Sequence, residues 1–209
     1  MKNILICGAT GFIGRNLLEF YNKKDYNITA TYFKTEFTRP FLEYPNVKWV
    51  KCDLRNPDDV KSVMNGIDIV LQFAATTSGA NVFGATITKV MTNTDGVLNV
   101  WGTGEGGRDL LHVDDLVNFV DLAINKQENN YELFNVGLGK VTKIIDLVKK
   151  IIKHSGKDLE IKHDLSKPTI PTSLFLNCNK AKKMLGWKPK VDIDSGIVKT
   201  INWYKNNII

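Results

Sequence analysis

Apolar residues in the first part of the chain fall in short runs separated by longer, more polar stretches. Four of these runs are predicted strands: residues 2–7, 27–33, 47–51 and 67–75. The stretches 12–24 and 57–66 between them carry apolar side chains at helical spacing. Strands that alternate with helices in this way predict a parallel, doubly wound α/β sheet. Residues 67–75 are apolar almost throughout, which predicts a strand covered on both faces.

The pattern changes after residue 80. Helical periodicity predicts helices at residues 82–91, 113–126, 141–154, 179–185 and 195–205. Short strands are predicted at 97–101 and 133–136, a glycine-rich loop at 102–107, and irregular structure at 157–173. The chain is therefore expected to divide into residues 1–80, which hold the sheet, and residues 81–209, which include a small C-terminal α/β lobe.

A glycine motif follows the first predicted strand directly and opens the first predicted helix. It reads Gly8-Ala9-Thr10-Gly11-Phe12-Ile13-Gly14. Glycines in this context permit a tight turn, let the backbone approach a pyrophosphate, and let helix and strand pack closely, so the motif predicts dinucleotide binding. The candidate cofactor contacts here are Gly8, Thr10, Gly11, Phe12, Ile13 and Gly14.

The end of the second strand bears on which dinucleotide is bound. NAD-binding sheets usually place an acid about 20 residues beyond the glycines, on the ribose 2′-hydroxyl. Here the strand end reads Thr31-Tyr32-Phe33-Lys34, with no acid. A cation at Lys34 suits a 2′-phosphate, so NADP is favoured over NAD. NAD remains the alternative cofactor, because the acidic Glu36 lies nearby and because Lys34 can also be interpreted as an exposed loop lysine.

Composition excludes several classes of protein. The 209 residues are 43% hydrophobic and 24% charged, which argues against disordered, collagen-like and coiled-coil chains. No apolar run reaches the roughly 18 residues of a membrane-spanning helix, and the first residues read as a strand and not as a signal peptide. A cytoplasmic protein without a membrane partner is expected. Its three cysteines, Cys7, Cys52 and Cys178, are expected to be reduced thiols, without a disulfide or zinc site.

Charge is distributed unevenly. The net charge of the chain is +6, and residues 140–209 alone carry 15 Lys and Arg against 6 Asp and Glu. Such a lobe can meet the phosphates of a small anionic ligand, or simply present a solvated lysine face. Nucleic acid is not expected as a partner, because the lysines are not interleaved with aromatic residues and no nucleic-acid motif is present.

Further segments follow in a specific linear order: Cys52-Asp53-Leu54, Phe73-Ala74-Ala75, Gly102-Thr103-Gly104 with Arg108-Asp109 and Val113-Asp114-Asp115, Phe134-Asn135-Val136-Gly137, and Leu185-Gly186-Trp187-Lys188-Pro189. Together with the glycine motif, they resemble the extended short-chain dehydrogenase/reductase family, and within it the NAD(P)-dependent epimerase/dehydratase branch, including GDP-fucose-synthase-like enzymes. The resemblance implies a Rossmann-type sheet with a C-terminal substrate lobe, a nicotinamide cofactor, and a GDP- or UDP-linked sugar as substrate.

The resemblance also implies roles for individual residues. Asp53 and Leu54 would meet the adenine, Phe73, Ala74 and Ala75 would pack along the cofactor, and Arg108 would reach the substrate diphosphate. Thr76 and Thr77 follow the fourth strand and are candidate substrate contacts, although loop hydroxyls forming local turns are the plainer interpretation. His112 is expected to be a core histidine. Asp109, Asp114 and Asp115 are expected to cap a helix and order loops, and not to bind a metal.

The chain departs from the family in one respect that bears on catalysis. Family members carry a long segment after the fourth strand, with two more strands, a catalytic Ser or Thr and a Tyr-x-x-x-Lys pair, and here that segment is missing. Of the six tyrosines only Tyr44 has a lysine four residues later, Lys48, and this pair runs into the predicted strand 47–51 and does not lie on a helix after the fourth strand, so no catalytic residue is assigned. Two functions follow: an epimerase, dehydratase or 4-keto reductase that works by hydride transfer, or a catalytically inactive dinucleotide-binding relative that serves as a sensor or partner subunit.

A sheet shortened in this way leaves its fourth strand at an edge. In the 3-2-1-4-5-6 strand order, strand four has a neighbour on one side only when strands five and six are missing. An apolar edge strand invites pairing with another chain. The sequence therefore predicts either a homodimer or aggregate formed through residues 67–75, or a later segment that folds back over them.

Overall fold

The computed structural model describes residues 1–34, 44–74, 82–169 and 172–208. The chain separates into two compact units, an N-terminal unit (Met1–Ser78) and a C-terminal unit (Gly79–Ile209). Helices and mainly parallel strands build both, so the expected α/β class is confirmed. Within the described ranges, no helix is long and apolar enough to cross a membrane.

The N-terminal unit is a four-stranded parallel sheet in the order β3-β2-β1-β4. Its elements are β1 (Lys2–Cys7), α1 (Phe12–Tyr21), β2 (Tyr26–Tyr32), β3 (Val47–Lys51), α2 (Pro57–Met64) and β4 (Ile69–Gln72). In β1, Ile4, Leu5 and Ile6 are at most 1% exposed. A central strand buried on both faces needs such a continuous apolar run, which is why the sequence pattern located it correctly.

Strand β4 differs from its prediction. It is an edge strand, and among the described residues it pairs with β1 alone, as expected for the shortened sheet. However, its two faces are not both covered. Leu71 is buried on one face, whereas Val70 on the other is 42% exposed and lines a shallow apolar groove beside α2. The apolar run predicts a strand covered on both faces, but Val70 leaves one of these faces partly open to solvent.

The C-terminal unit combines helices with two short two-stranded sheets. Its elements are α3 (Val82–Met91), β5 (Val97–Trp101), β6 (Gly107–Arg108), α4 (Val113–Lys126), β7 (Thr142–Lys143), α5 (Ile144–Ser155), β8 (Glu160–Asp164), α6 (Asn179–Leu185) and α7 (Ile193–Asn207). Strands β5 and β8 pair in parallel, and β6 and β7 pair antiparallel. Helices α3, α5 and α7 share one buried apolar core with β5. A second core surrounds Trp187, between α4 and α6.

Four predictions for this unit are wrong in detail. Residues 160–164, expected to be irregular, form β8, because a partner strand lies distant in sequence. Residues 133–136 form no strand: Phe134 and Val136 pack against the Trp187 core, yet no partner strand beside them lies in the described part of the chain. The helix expected at 141–154 begins at Ile144, after β7, and the last helix begins at Ile193, where the Asp192 side chain caps it.

Candidate functional site

The glycine motif forms a tight turn between β1 and α1. Gly8 adopts a left-handed φ of 74°, and the Gly11 N–H donates to the Gly8 carbonyl at 2.9 Å. Two bonds tie the turn to the end of β2: the Ala9 N–H donates to the Thr31 carbonyl at 3.1 Å, and the Gly8 N–H donates to the Thr31 hydroxyl at 3.3 Å. Thr31 itself is 2% exposed. The turn is thus fixed to β2, the strand next to β1 in the sheet.

Two of the three glycines are required by packing. A Cβ at Gly14 would lie 2.2 Å from the Gly8 carbonyl oxygen and 2.8 Å from the Ala9 Cα. A Cβ at Gly8 would lie 2.8 Å from the backbone of Ala74, at the end of β4. The backbone segments therefore approach each other so closely at these two positions that no side chain fits there.

Gly11 serves a different purpose. It is exposed, its φ of −77° is available to any residue, and a Cβ there would approach only the Gly8 carbonyl, at 3.3 Å. It is the N-cap of α1, and no side chain caps the helix. No side chain therefore covers the first backbone N–H groups of α1, and uncovered N–H groups at the start of a helix can bind a phosphate. The residues present fit the pyrophosphate of a dinucleotide.

The remaining residues of the motif surround this turn. Thr10 and Ile13 are half-buried, and Phe12 is 73% exposed. At the end of β4, the Phe73 N–H donates to the Cys7 carbonyl at 3.1 Å, which brings Phe73 and Ala74 beside the turn. Leu54 instead packs in the core of the unit. Ala75, Thr76 and Thr77 lie outside the described residues, so their expected roles remain predictions.

A cationic cluster lies at the ends of β2 and β3. The Arg55 guanidinium donates to both carboxylate oxygens of Asp53, at 2.9 and 2.7 Å, and these bonds lower the pKa of Asp53 to about 2. The Arg55 guanidinium lies 5.3 Å from the centre of the Phe33 ring, and the Lys34 ammonium lies 5.5 Å from it. The sequence analysis predicts no role for Arg55, although its position two residues after Asp53 places the two side chains within reach of each other.

In the C-terminal unit, Arg108 holds two backbone carbonyls. Its guanidinium donates to the carbonyls of Gly107 and Thr172, each at 2.7 Å. It is half-buried, in β6. The side chain therefore joins two segments of the lobe, and its expected contact with a substrate diphosphate stays a prediction.

The three aspartates near α4 order the chain around them. The Asp109 carboxylate accepts the backbone N–H groups of Leu138, Gly139 and Leu176 at 2.6, 3.0 and 3.0 Å. Asp115 is 3% exposed and accepts the N–H groups of Lys190 and Val191, each at 2.9 Å. Asp114 pairs with Lys199 at 2.7 Å. No cluster of possible metal ligands exists within the described ranges.

His112 is a helix cap more than a core residue. Its Nδ1 accepts the Asp114 N–H at 3.2 Å at the start of α4, and burial lowers the pKa of the ring.

The pKa values of all three cysteine thiols are raised by burial, and all three thiols are free. None of them has the lowered pKa of a reactive thiol.

Two family models match the chain. The model of the NAD dependent epimerase/dehydratase family matches residues 4–100. A model described as GDP-mannose 4,6 dehydratase matches residues 82–200, which is more than half of the chain. This chain belongs to the NAD-dependent epimerase/dehydratase family.

Curated relatives agree with this assignment over part of their length. A probable GDP-L-fucose synthase 1 of Oryza sativa subsp. japonica is 37% identical over 113 residues, which cover 53% of this chain and 33% of the relative. A GDP-L-colitose synthase of Yersinia pseudotuberculosis is 30% identical over 132 residues, which cover 62% of this chain and 42% of the relative. The matched part of the chain thus spans only about a third to two fifths of these relatives.

Solved structures share the fold. The dTDP-glucose 4,6-dehydratase of Bacillus anthracis, solved in complex with NAD, aligns with a TM-score of 0.83 at 18% identity, covering 99% of this chain and 97% of that one. The epimerase Mth375 of Methanothermobacter thermautotrophicus aligns with a TM-score of 0.85 at 16% identity, covering 98% and 92%. At these identities the likeness concerns the fold, and it confirms the expected Rossmann-type architecture.

Proposed function

We propose that the N-terminal unit binds NADP through the turn of Gly8, Gly11 and Gly14. The observation that carries the proposal is the backbone cradle: a Cβ would clash at Gly8 and at Gly14, while Gly11 leaves the start of α1 open. The pyrophosphate would meet the first amides of α1. Phe12, Ile13 and Thr10 would border it, and Phe73 and Ala74 would lie alongside.

The preference for NADP over NAD rests on the cations beside Phe33. Lys34 and Arg55 both lie within about 5.5 Å of this ring, at the end of β2 where the adenosine ribose is expected. Two cations favour a 2′-phosphate over a 2′-hydroxyl. Asp53, engaged by Arg55, orients that guanidinium.

We further propose that the C-terminal unit takes a GDP- or UDP-linked sugar, with Arg108 on its diphosphate. The printed names of several relatives, such as GDP-L-fucose synthase and UDP-glucose 4-epimerase, refer to such sugars. The bound nicotinamide would supply hydride transfer. Thr76 and Thr77 would contact the sugar. We also propose a cytoplasmic location, because the three cysteines are free thiols.

A second function is binding without turnover. It is favoured by one observation: the single tyrosine with a lysine at the fourth position, Tyr44 with Lys48, lies at the start of β3 and not on a helix. A group that donates or accepts the proton contributes about 10²–10⁴ to the rate of such reactions. Turnover of a GDP- or UDP-linked 4-keto sugar with NADPH would support the enzyme, and cofactor binding with no turnover would support a sensor or partner subunit.

Cofactor binding is tested by fluorescence titration with NADPH and NADH. We expect NADPH to bind about tenfold more tightly than NADH, because of the added charge–charge contacts. Gly11→Asp should weaken the binding of both by at least about 100-fold, since a carboxylate then occupies the phosphate position. Aspartate is a good N-cap, so this variant should fold at least as stably as the parent chain.

Two control variants sharpen the titration. Lys34→Gln should remove most of the preference for NADPH and leave NADH binding unchanged. Gly11→Ala adds a methyl group without charge and should weaken binding much less than Gly11→Asp. Unchanged nucleotide affinity in a folded Gly11→Asp variant would contradict the proposal.

We also propose that a second copy of the chain pairs with the edge of β4. Among the described residues this edge has no partner, and a two-fold axis would place two β4 strands side by side in antiparallel pairing, with the exposed Val70 near the joint. Val70→Glu should then shift the mass found by sedimentation equilibrium from dimer to monomer. A parent chain that is monomeric at every concentration tested would sink the idea.

A further inference from the structure

A cavity of about 340 Å³ opens on the surface of the C-terminal unit. It lies between the segments 175–179 and 187–189, with Gly139 and Lys182 completing its lining. Its volume is at the lower end of the range found for small-molecule sites, about 300–1,000 Å³. Arg108 is not among the residues that line it, so the cavity is separate from the expected diphosphate contact.

Both walls of the cavity are fixed by carboxylates from behind. Asp109 accepts the N–H groups of Gly139 and Leu176, each at 3.0 Å, and so ties one wall to the loop before β7. The other wall is fixed by Asp115, which accepts the N–H groups of Lys190 and Val191, just after the lining segment. A cavity held by bonds of this kind is formed before a ligand arrives.

The lining combines aromatic surface with positive charge. Phe175 is 58% exposed, and Trp187 is 2% exposed, with its indole N–H already donated to the Asp115 carbonyl at 3.2 Å. Lys182 and Lys188 bring two ammonium groups, and no Asp or Glu is among the lining residues. We propose that this cavity binds a small aromatic anion, with the ring against Phe175 and Pro189 and the anionic group between the two lysines.

Cys178 provides a reporter inside the site. It lines the cavity and is partly exposed, whereas Cys7 and Cys52 are only 4% and 3% exposed. Burial raises the pKa of the Cys178 thiol, so alkylation is best followed at mildly alkaline pH. A bound anion should cover this sulfur and slow its reaction.

The direct test uses 8-anilinonaphthalene-1-sulfonate, an aromatic sulfonate whose fluorescence rises in apolar sites. The double variant Lys182→Gln/Lys188→Gln should bind it about tenfold more weakly, since two exposed charges contribute to such a contact. The matched control is Lys183→Gln, one residue along α6 and outside the lining. Binding to other apolar surfaces contributes equally in all three proteins.

Competition and alkylation then test separately whether the aromatic ring and the anionic group of the ligand are needed for binding. Phenyl phosphate should displace the probe and protect Cys178 from iodoacetamide, read by peptide mass spectrometry, while inorganic phosphate alone and benzyl alcohol alone should do neither. Equal probe binding by the double variant and the Lys183→Gln control would overturn the proposal, as would alkylation of Cys178 that phenyl phosphate leaves unchanged. The result does not depend on NADP binding.

Discussion

Gly14→Ala is expected to lower the free energy of unfolding of the N-terminal unit by about 2 kcal/mol or more. Alanine gains about 1 kcal/mol over glycine in a helix. Against this, the added Cβ would lie 2.2 Å from the Gly8 carbonyl oxygen and 2.8 Å from the Ala9 Cα. Both are backbone atoms, so no rotamer change relieves the clash, and overpacking of this kind costs about 3 kcal/mol or more. The steric cost therefore outweighs the gain in helix propensity.

Hydrogen exchange measured by mass spectrometry on peptides from β1 and α1 checks this prediction. Exchange should be faster there in Gly14→Ala and unchanged in peptides from α5 and α7, which belong to the other unit. The control is Gly11→Ala, in the same turn, whose Cβ would meet a single atom at 3.3 Å. Similar protection in the two variants would show that the close approach of α1 to β1 is not what requires glycine at position 14.

The turn itself could be predicted from the sequence because the strand, the glycines and the helix that form it follow one another directly along the chain. An apolar run, three glycines and a helical pattern lie within residues 2–24, and together they specify strand, turn and helix. The edge position of β4 could likewise be deduced, since it follows from the order of strands in such sheets. The exposure of Val70 could not, because the run around it reads the same whether one face or both are covered.

Strand β8 shows why other parts could not be predicted. Its sequence, Glu-Ile-Lys-His-Asp, is polar, and it forms a strand only because β5 lies beside it, with Leu98 opposite Ile161. Residues 133–136 show the converse case. Their apolar alternation is real, because Phe134 and Val136 pack inward, but they lack a ladder partner in the described part of the chain. Pairing between distant segments is not written in either segment alone.

The candidate sites divide in the same way. The glycine motif and Lys34 could be picked out by position, whereas the role of Arg55 required seeing that it holds Asp53. The sequence predicts that Asp109 and Asp115 order loops, and the structure identifies the backbone N–H groups that donate hydrogen bonds to their carboxylates. These amides belong to residues far along the chain, so spacing alone could not reveal them. The cavity that they frame could be found only in three dimensions.

Asp115→Asn is expected to destabilise the C-terminal unit by about 3 kcal/mol, a decrease in its midpoint of thermal unfolding of roughly 6–12 °C. The Asp115 side chain is 3% exposed and accepts two backbone N–H groups, from Lys190 and Val191. Asparagine has the same shape, but its amide nitrogen is a donor. One N–H would then face another donor in a buried place, with no water to satisfy it.

The neighbouring aspartate provides a matched control on the same helix turn. The Asp114 side chain is 53% exposed and pairs with Lys199, itself 53% exposed, so Asp114→Asn should change the stability by no more than about 0.5 kcal/mol. Circular dichroism during heating measures both variants. If the two aspartates prove equally replaceable, the buried carboxylate is not what fixes residues 190–191. If only Asp115→Asn is destabilised, this acid ties the start of α4 to the segment after Trp187, and the same variant should also weaken probe binding in the cavity, since one of its walls is then released.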